Sequence, residues 1–443
     1  MRLCRLRCAS RATWFTGRYP HSHRNRVNYT PLDPGEKILP QYLKDAGYQT
    51  GSVGKLHLYP PTAEHARESG FDRVLLHDGV GATDEWSDYV SWRRERDPLA
   101  HLSYRTTAAD IEPGRNPYRM AIADEFTETS WVGLETRRFL REMGEDPRPF
   151  FLFSSFFQPH SPFLAPEPFD EMYDDVEIPL PKATSLEEIR QLPEPLQELI
   201  LRFTPKYDMD RELLQWAYRT YYASVSQIDR EVGKILDALE ESGRANETIV
   251  VFSTDHGDQM LEHGLMGKNC FFEASVKIPF LISWPGRVKP GKYEELVETT
   301  DLLPTLFELC GIAEPTACQG RSLAGLIAGS PDGYEARDAV FSENVIPEVI
   351  TGGSRDFYFE KGKGVKGVRH PEAKMVRTQR WKLNFYGGGE GELYDLANDP
   401  GEQDNLYLDP EHAETVNRLK DRLLRWLMTA DETDQIAPRW LVG

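Results

Sequence analysis

Long apolar runs are missing from this chain of 443 residues. No stretch approaches the roughly 18 apolar residues of a membrane-crossing helix, so no membrane partner is expected. Positive charge is in short supply: 52 Lys and Arg stand against 71 Asp and Glu, giving a net charge of −19. That balance argues against a general nucleic-acid binder. An anionic substrate would need a local cationic site set in a negative surface. Cysteine is scarce too. The five, Cys4, Cys8, Cys270, Cys310 and Cys318, are odd in number and widely spaced, which is no disulfide framework. Cys310 and Cys318 could pair in an exported protein. Residues 1–18 are rich in arginine and lack the apolar core of a secretory signal. Internal repeats are absent. What remains is a 40% hydrophobic chain, enough for a substantial core, with a length that suits one large α/β domain and a smaller one.

The stretch Thr248 to Lys268 organises the rest. Thr248-Ile249-Val250-Val251-Phe252-Ser253 reads as a strand buried on both faces. It ends in Thr254-Asp255-His256-Gly257. In open α/β sheets ligands bind beyond the carboxyl ends of strands, where Asp255 and His256 would project. A carboxylate beside an imidazole can ligate a divalent ion. Lys268, after Glu262-His263-Gly264-Leu265-Met266-Gly267, could reach an anion held by that ion. Taken alone, an Asp-His pair after a strand is also an ordinary turn or helix cap.

Other fragments of an anion site occur elsewhere. Ser10 could cap a helix starting near Arg11, and Gly17 could end it. A thiol at Cys8, just before such a helix, would sit in a positive potential that raises its reactivity; a plain buried thiol is the alternative. After a helix with apolar positions Ile38, Leu39, Tyr42, Leu43 and Ala46, a strand exits through Gly54-Lys55-Leu56-His57. Two residues apart in an extended segment, Lys55 and His57 point to one side. A cation neutralises an anionic ester, and an imidazole can protonate its leaving oxygen. A second buried-strand candidate, Pro149 to Phe156, ends in Gln158-Pro159-His160-Ser161-Pro162, where prolines fix the backbone around His160. Between them, residues 61–148 read as irregular, with Trp86, Tyr89 and Trp92 expected at a substrate mouth, apart from a covering helix over Thr127 to Met143. A capped helix is expected at Thr184 or Ser185. Arg211 to Ser242 reads as an amphipathic helix whose stripe Val225, Ile228, Val232, Ile235, Leu236 and Leu239 packs the core. Asp301 to Gly311 reads as a buried helix. A turn-rich stretch near 328–333 divides a domain over 1–330 from a smaller subdomain over 331–443. The latter opens with a hairpin through Met375 to Tyr386 and closes with a helix from Pro410 to Met428.

Together these elements resemble the sulfatase family of the alkaline phosphatase superfamily. The ordered set is Ser10-Arg11 to Thr16-Gly17-Arg18, Gly54-Lys55-Leu56-His57, Pro159-His160, Asp255-His256-Gly257 and Gly267-Lys268. The family signature has the form Cys-x-Pro-Ser-Arg-x-x-x-x-Thr-Gly-Arg, and here Arg7 stands at its cysteine position and Ala9 at its proline. With Cys8 as the nucleophile, one residue is lost before Ser10. The resemblance implies an α/β fold: a large mixed, mostly parallel sheet flanked by helices, with the smaller C-terminal α+β subdomain. It implies sulfate monoester hydrolysis by a formylglycine hydrate made from Cys8 by a formylglycine-generating or equivalent maturase. Asp255 and His256 would be metal ligands, for Ca²⁺ ahead of Mg²⁺ or Mn²⁺. Lys55 and Lys268 would clamp the anion, His57 or His160 would act as general acid, and Arg11 would hold the nucleophile side. The substrate would be a small-molecule or carbohydrate sulfate ester, with aryl, choline and sugar sulfates all open. The family's opening strand with paired aspartates is not found before Cys8, and a truncated start is expected. The compartment stays open on that account: cytoplasmic as written, periplasmic or secreted with a longer N-terminus. The alternatives are a phosphonate monoester or phosphodiester hydrolase, and a truncated non-catalytic relative.

Overall fold

Gln49–Gly54 forms strand β1 because it lies at the middle of a sheet with no room for side chains on one face. At Gly51 a Cβ would fall 1.9 Å from the Phe139 ring. The computed structural model describes residues 7–26, 30–78, 87–103, 105–111, 119–182, 184–203, 211–315, 317–330, 333–345 and 372–430, with the backbone alone for Arg7 and Cys8. They form two compact units. One comprises Lys37–Leu180 and Asp208–Thr248; the other comprises Met1–Glu36, Pro181–Tyr207 and Ile249–Gly443.

In the first unit β1 lies between β2 (Arg73–Leu76) and β3 (Phe150–Ser155) in a parallel sheet. The registers Gly54↔Leu76 and Gly54↔Ser155 bring all three carboxyl ends level. Residues that follow the strands therefore emerge along one edge. The helix Glu128–Gly144 covers the sheet and is capped by Thr127, whose hydroxyl accepts the Ser130 amide. Its Trp131 and Val132 pack with Val53 and Tyr89. Tyr89, expected at a substrate mouth, is thus core, its hydroxyl donating to the Phe126 carbonyl; Trp86 lies outside the described residues.

The long helix Arg211–Glu241 forms as expected, but a different face is buried. Ala217, Thr220, Ser224, Gln227 and Glu231 are buried; of the expected stripe Leu239 is buried, Ile228, Val232 and Ile235 are half-buried, and Val225 and Leu236 are exposed. The cause is close approach: a Cβ at Gly133 of the covering helix would meet the Glu231 carboxylate at 2.1 Å. Glu231 is in turn paired with Arg137, Arg230 and Lys234.

In the second unit helix α1 (Arg7–Thr16) ends at Gly17, in the left-handed region at φ 66°. It starts a turn earlier than the Ser10 cap predicts. Ser10 lies inside the helix and donates to a distant carbonyl instead. Strand β4 (Val250–Ser253) pairs antiparallel with β5 (Phe280–Ser283). Burial on both faces is not found: Phe252 is 43% exposed, as is 57% of Leu281. Among the described residues β5 is the one strand bonded to β4, so little covers the ribbon. Strand β3 is likewise half-buried rather than buried, with β1 its one neighbouring strand among the described residues.

The C-terminal part is an antiparallel sheet in the order β6 (Val340–Val345), β7 (Glu372–Arg377), β8 (Trp381–Tyr386), β9 (Gly391–Asp395). The helix Ala413–Ala430 covers one face through Val416, Leu419, Leu423 and Trp426. Leu196, Leu199, Phe271 and Phe272 cover the other, against Ala373, Met375, Tyr386 and Tyr394. The helix Leu186–Gln191 carries the capping box read at Ser185 and Glu188. Cys270, Cys310 and Cys318 are free thiols, so the pairing of Cys310 with Cys318 is absent. No helix among the described residues is long and apolar enough to cross a membrane.

Candidate active site

The Asp255-His256-Gly257 turn follows β4 directly, and glycine is required at its end. A Cβ at Gly257 would lie 1.9 Å from the Ala274 carbonyl, and its amide donates to Ser275 O. Helix α1 holds the turn from the other side. Ser10 Oγ donates to the Asp255 carbonyl at 2.9 Å, and Arg11 Nε donates to Asp255 Oδ2 at 3.1 Å. Both partners of this ion pair are buried. Two buried charges tolerate such a place only when paired. Cys8 lies one turn before them in α1, and its side chain is outside the described atoms.

His256 Nδ1 lies 2.9 Å from the Gly257 carbonyl, so it carries the proton and donates it there. Its Nε2 lies 3.5 Å from Asp255 Oδ1. One carboxylate oxygen beside one imidazole nitrogen suits one edge of a divalent-ion site. Among the described residues no group of three or more His, Cys, Asp and Glu side chains completes such a site.

The loop from Asp255 to Lys268 closes on itself. Asp258 Oδ1 accepts the Met260 and Gly267 amides, both at 3.1 Å, and Gln259 N donates to Gly267 O at 2.7 Å. Lys268, half-buried, is thereby returned beside Asp258. Closure places Met260, Leu261 and His263 at φ 47°, 72° and 56°. Left-handed backbone at three residues other than glycine is strain held by the surrounding bonds.

In the unit with the parallel sheet, Lys55, His77 and Phe157 emerge near the carboxyl ends of β1, β2 and β3. Lys55 is only 3% exposed, its ammonium 5.2 Å from the Phe157 ring centroid. His160 also packs against Phe157, the two rings tilted by 37° with centroids 5.0 Å apart. Its Nδ1 donates to Ser161 O at 2.6 Å, which leaves Nε2 as the nitrogen for proton exchange. Lys55 and His160 therefore meet around one aromatic ring. His57 departs from expectation. At φ 55° it breaks the extended segment, so it does not repeat the direction of Lys55. Asp78 Oδ1 makes the turn by accepting the Leu56 and His57 amides at 3.0 and 2.9 Å.

Three residues of this face escape a sequence reading. His77 is fully buried, with Nδ1 2.8 Å from Ser87 Oγ. Burial first, then the charges of Arg105 and Lys55, push its pKa down to about 3, and it stays neutral. Glu128 is buried at the start of its helix. Burial pushes its carboxyl up to about 8 against the Phe157 and Gln158 amides and Lys55, which pull it down. Asp78 is the third. An acidic residue opening a helix or a histidine closing a strand is commonplace, and no spacing marks these as buried.

Residues 4–312 match the family model described as Sulfatase, and residues 355–428 match one described as N-sulphoglucosamine sulphohydrolase, C-terminal. The chain is 29% identical over 452 residues to an arylsulfatase of Clostridium perfringens, covering 96% of this chain and 85% of the relative. Among solved structures it is similar to the phosphonate monoester hydrolase SpPMH from Silicibacter pomeroyi, with TM-score 0.81, 24% identity, and 99% and 90% of the two chains covered. A phosphonate monoester hydrolase of Agrobacterium radiobacter gives TM-score 0.79 and 26% identity, over 96% and 86%.

Proposed function

This chain belongs to the sulfatase family, hydrolases of the alkaline phosphatase superfamily, and we propose that within it the protein cleaves sulfate monoesters of small molecules or sugars. The observation that carries the reading is the Arg11–Asp255–His256 cluster at the end of β4, joining the first and fourth of the family's ordered elements. Asp255 and His256 would hold a divalent ion, Ca²⁺ by chemistry of the family, and when bound it would polarise the ester oxygens. Arg11 holds the Asp255 carboxylate in place. Lys55 and Lys268 neutralise the non-bridging oxygens. The attacking oxygen, from the formylglycine hydrate matured from Cys8, forms a bond to sulfur as the sulfur–oxygen ester bond breaks. His160 Nε2 delivers the proton that the leaving oxygen takes up. His57 is the second candidate for that proton.

The similarity to the Agrobacterium radiobacter structure favours one other reading, hydrolysis of phosphonate monoesters or phosphodiesters by the same residues. Turnover of 4-nitrophenyl sulfate and of 4-nitrophenyl phenylphosphonate, each with Ca²⁺ and with a chelator, separates the two. We expect the sulfate to be preferred and the chelator to abolish turnover. Mass spectrometry of the peptide around Arg7 to Arg11 is expected to find Cys8 converted to the aldehyde. An unmodified Cys8 with no turnover of either ester would leave a non-catalytic relative.

A further inference from the structure

The unit with the parallel sheet buries a carboxylate that the proposed chemistry leaves unused. Glu128 opens the helix Glu128–Gly144 and is 5% exposed. A carboxylate near a helix N-terminus gains from the helix dipole, but that gain is small beside the cost of burial. Its contacts account for the placement. Oε1 accepts the Phe157 amide at 3.1 Å, and the Gln158 amide also points to the carboxylate. Phe157 and Gln158 open the turn that carries Pro159 and His160, and the Phe157 ring lies against both the Lys55 ammonium and the His160 imidazole.

We propose that Glu128 is the positioning residue of this face, its carboxylate fixing the Phe157–His160 turn and, through the Phe157 ring, Lys55 and His160. A neutral acceptor would satisfy one amide. A carboxyl group offers two oxygens to the pair of amides, and once ionised it also complements the Lys55 charge. Glu128 lines a small cavity of about 20 Å³ with Arg105, Thr129, Gln158 and Gln227. That volume admits one water. Glu128 Oε2 and Gln158 Oε1 are buried there without a protein partner among the described residues, so a water would complete the anchor. The charged and titratable groups around Glu128 are Lys55 and Arg105, the neutral His77, His160 beyond Phe157, and the Asp124–Arg230 ion pair behind the helix start.

The inference rests on Lys55 and His160 meeting the ester, and its test has an arm independent of turnover. Full-length protein is compared with Glu128→Ala and Glu128→Gln by hydrogen exchange of the 156–162 peptide and by kcat and KM for 4-nitrophenyl sulfate from pH 6 to 9. In Glu128→Ala, loss of the acceptor is expected to speed exchange in that peptide about tenfold or more, with other peptides unchanged, and to lower kcat about 30-fold with a smaller change in KM. Glu128→Gln keeps an acceptor oxygen, so its peptide should stay protected and its kcat should fall less. The rise of kcat/KM that follows ionisation near pH 8 should vanish in it. Unchanged exchange at 156–162 in Glu128→Ala, or equal acceleration throughout the chain in both variants, would overturn the proposal. Absence of ester turnover in the parent protein would defeat the proposed function, while the exchange arm would still decide the positioning role.

Discussion

Arg11 shows how one side chain can serve fold and site together. Its guanidinium is buried against Asp255 while its own helix is tied to the Asp255 carbonyl by Ser10. Arg11→Ala leaves a buried carboxylate without its partner. The expected loss is about 3–5 kcal/mol in urea denaturation, together with activity. Arg11→Lys should recover part of the stability, since one charge-assisted bond can re-form, and little activity, since the planar fork is lost. A change of under about 1 kcal/mol for Arg11→Ala, within the range of an exposed pair, would mean that the ion pair is dispensable. Strand-end chemistry leaves a local trace at Asp255 and His256, and Arg11 is legible through the resemblance to the family signature. Sequence reading failed at Ser10 and His57, where the answer depends on a partner far along the chain or on one residue turning left-handed.

At the level of elements, the tightest constraint is the crossing of β1 by the covering helix. Gly51→Ala drives a methyl group into the Phe139 ring. Overpacking of this kind should cost about 1–3 kcal/mol, read from the urea midpoint. Phe139→Leu in the same chain should return part of it, because the two sites couple through one contact. Simple additivity of the two losses would contradict the geometry. Elements with strong local signals were legible: the 128–144 helix from its apolar spacing and Thr127 cap, the capping box at Ser185, the hairpin through Met375 to Tyr386. Burial was less so. The 211–241 helix turns Val225 and Leu236 of its apolar stripe outward and buries Leu239, while Gly133 lets Glu231 take the inside. Strand β4 reads as fully buried from composition, but composition cannot count neighbouring strands.

For the whole molecule, the response to pH follows from which groups change their proton affinity on folding. Glu128, Glu298 and Glu392 are all raised, chiefly by burial, so the folded chain holds protons that the unfolded chain has released. The stability they contribute is complete below the usual carboxylate range and is lost as pH rises towards the folded values. With Glu128 pushed up to about 8, the fall extends into alkaline solution. His23 and His77, both lowered to about 3 by burial first, act oppositely. They lose stability for the fold as pH drops through 6.5. Of these groups the carboxyls lose stability all the way through neutrality while the histidines act only below 6.5, so they place maximum stability on the acid side of 6.5, with about 1 kcal/mol lost between pH 7 and 9 through Glu128. Urea midpoints should fall over that interval in the parent and stay flatter in Glu128→Gln. The left-handed residues between Asp258 and Gly267 bear on any effort to improve such a protein. Heat selection will reward glycine or asparagine at Met260, Leu261 or His263, since either adopts that backbone more cheaply. The same relaxation would let Lys268 wander. Variants that survive boiling best should be the poorest hydrolases, and a screen reading survival alone would collect them.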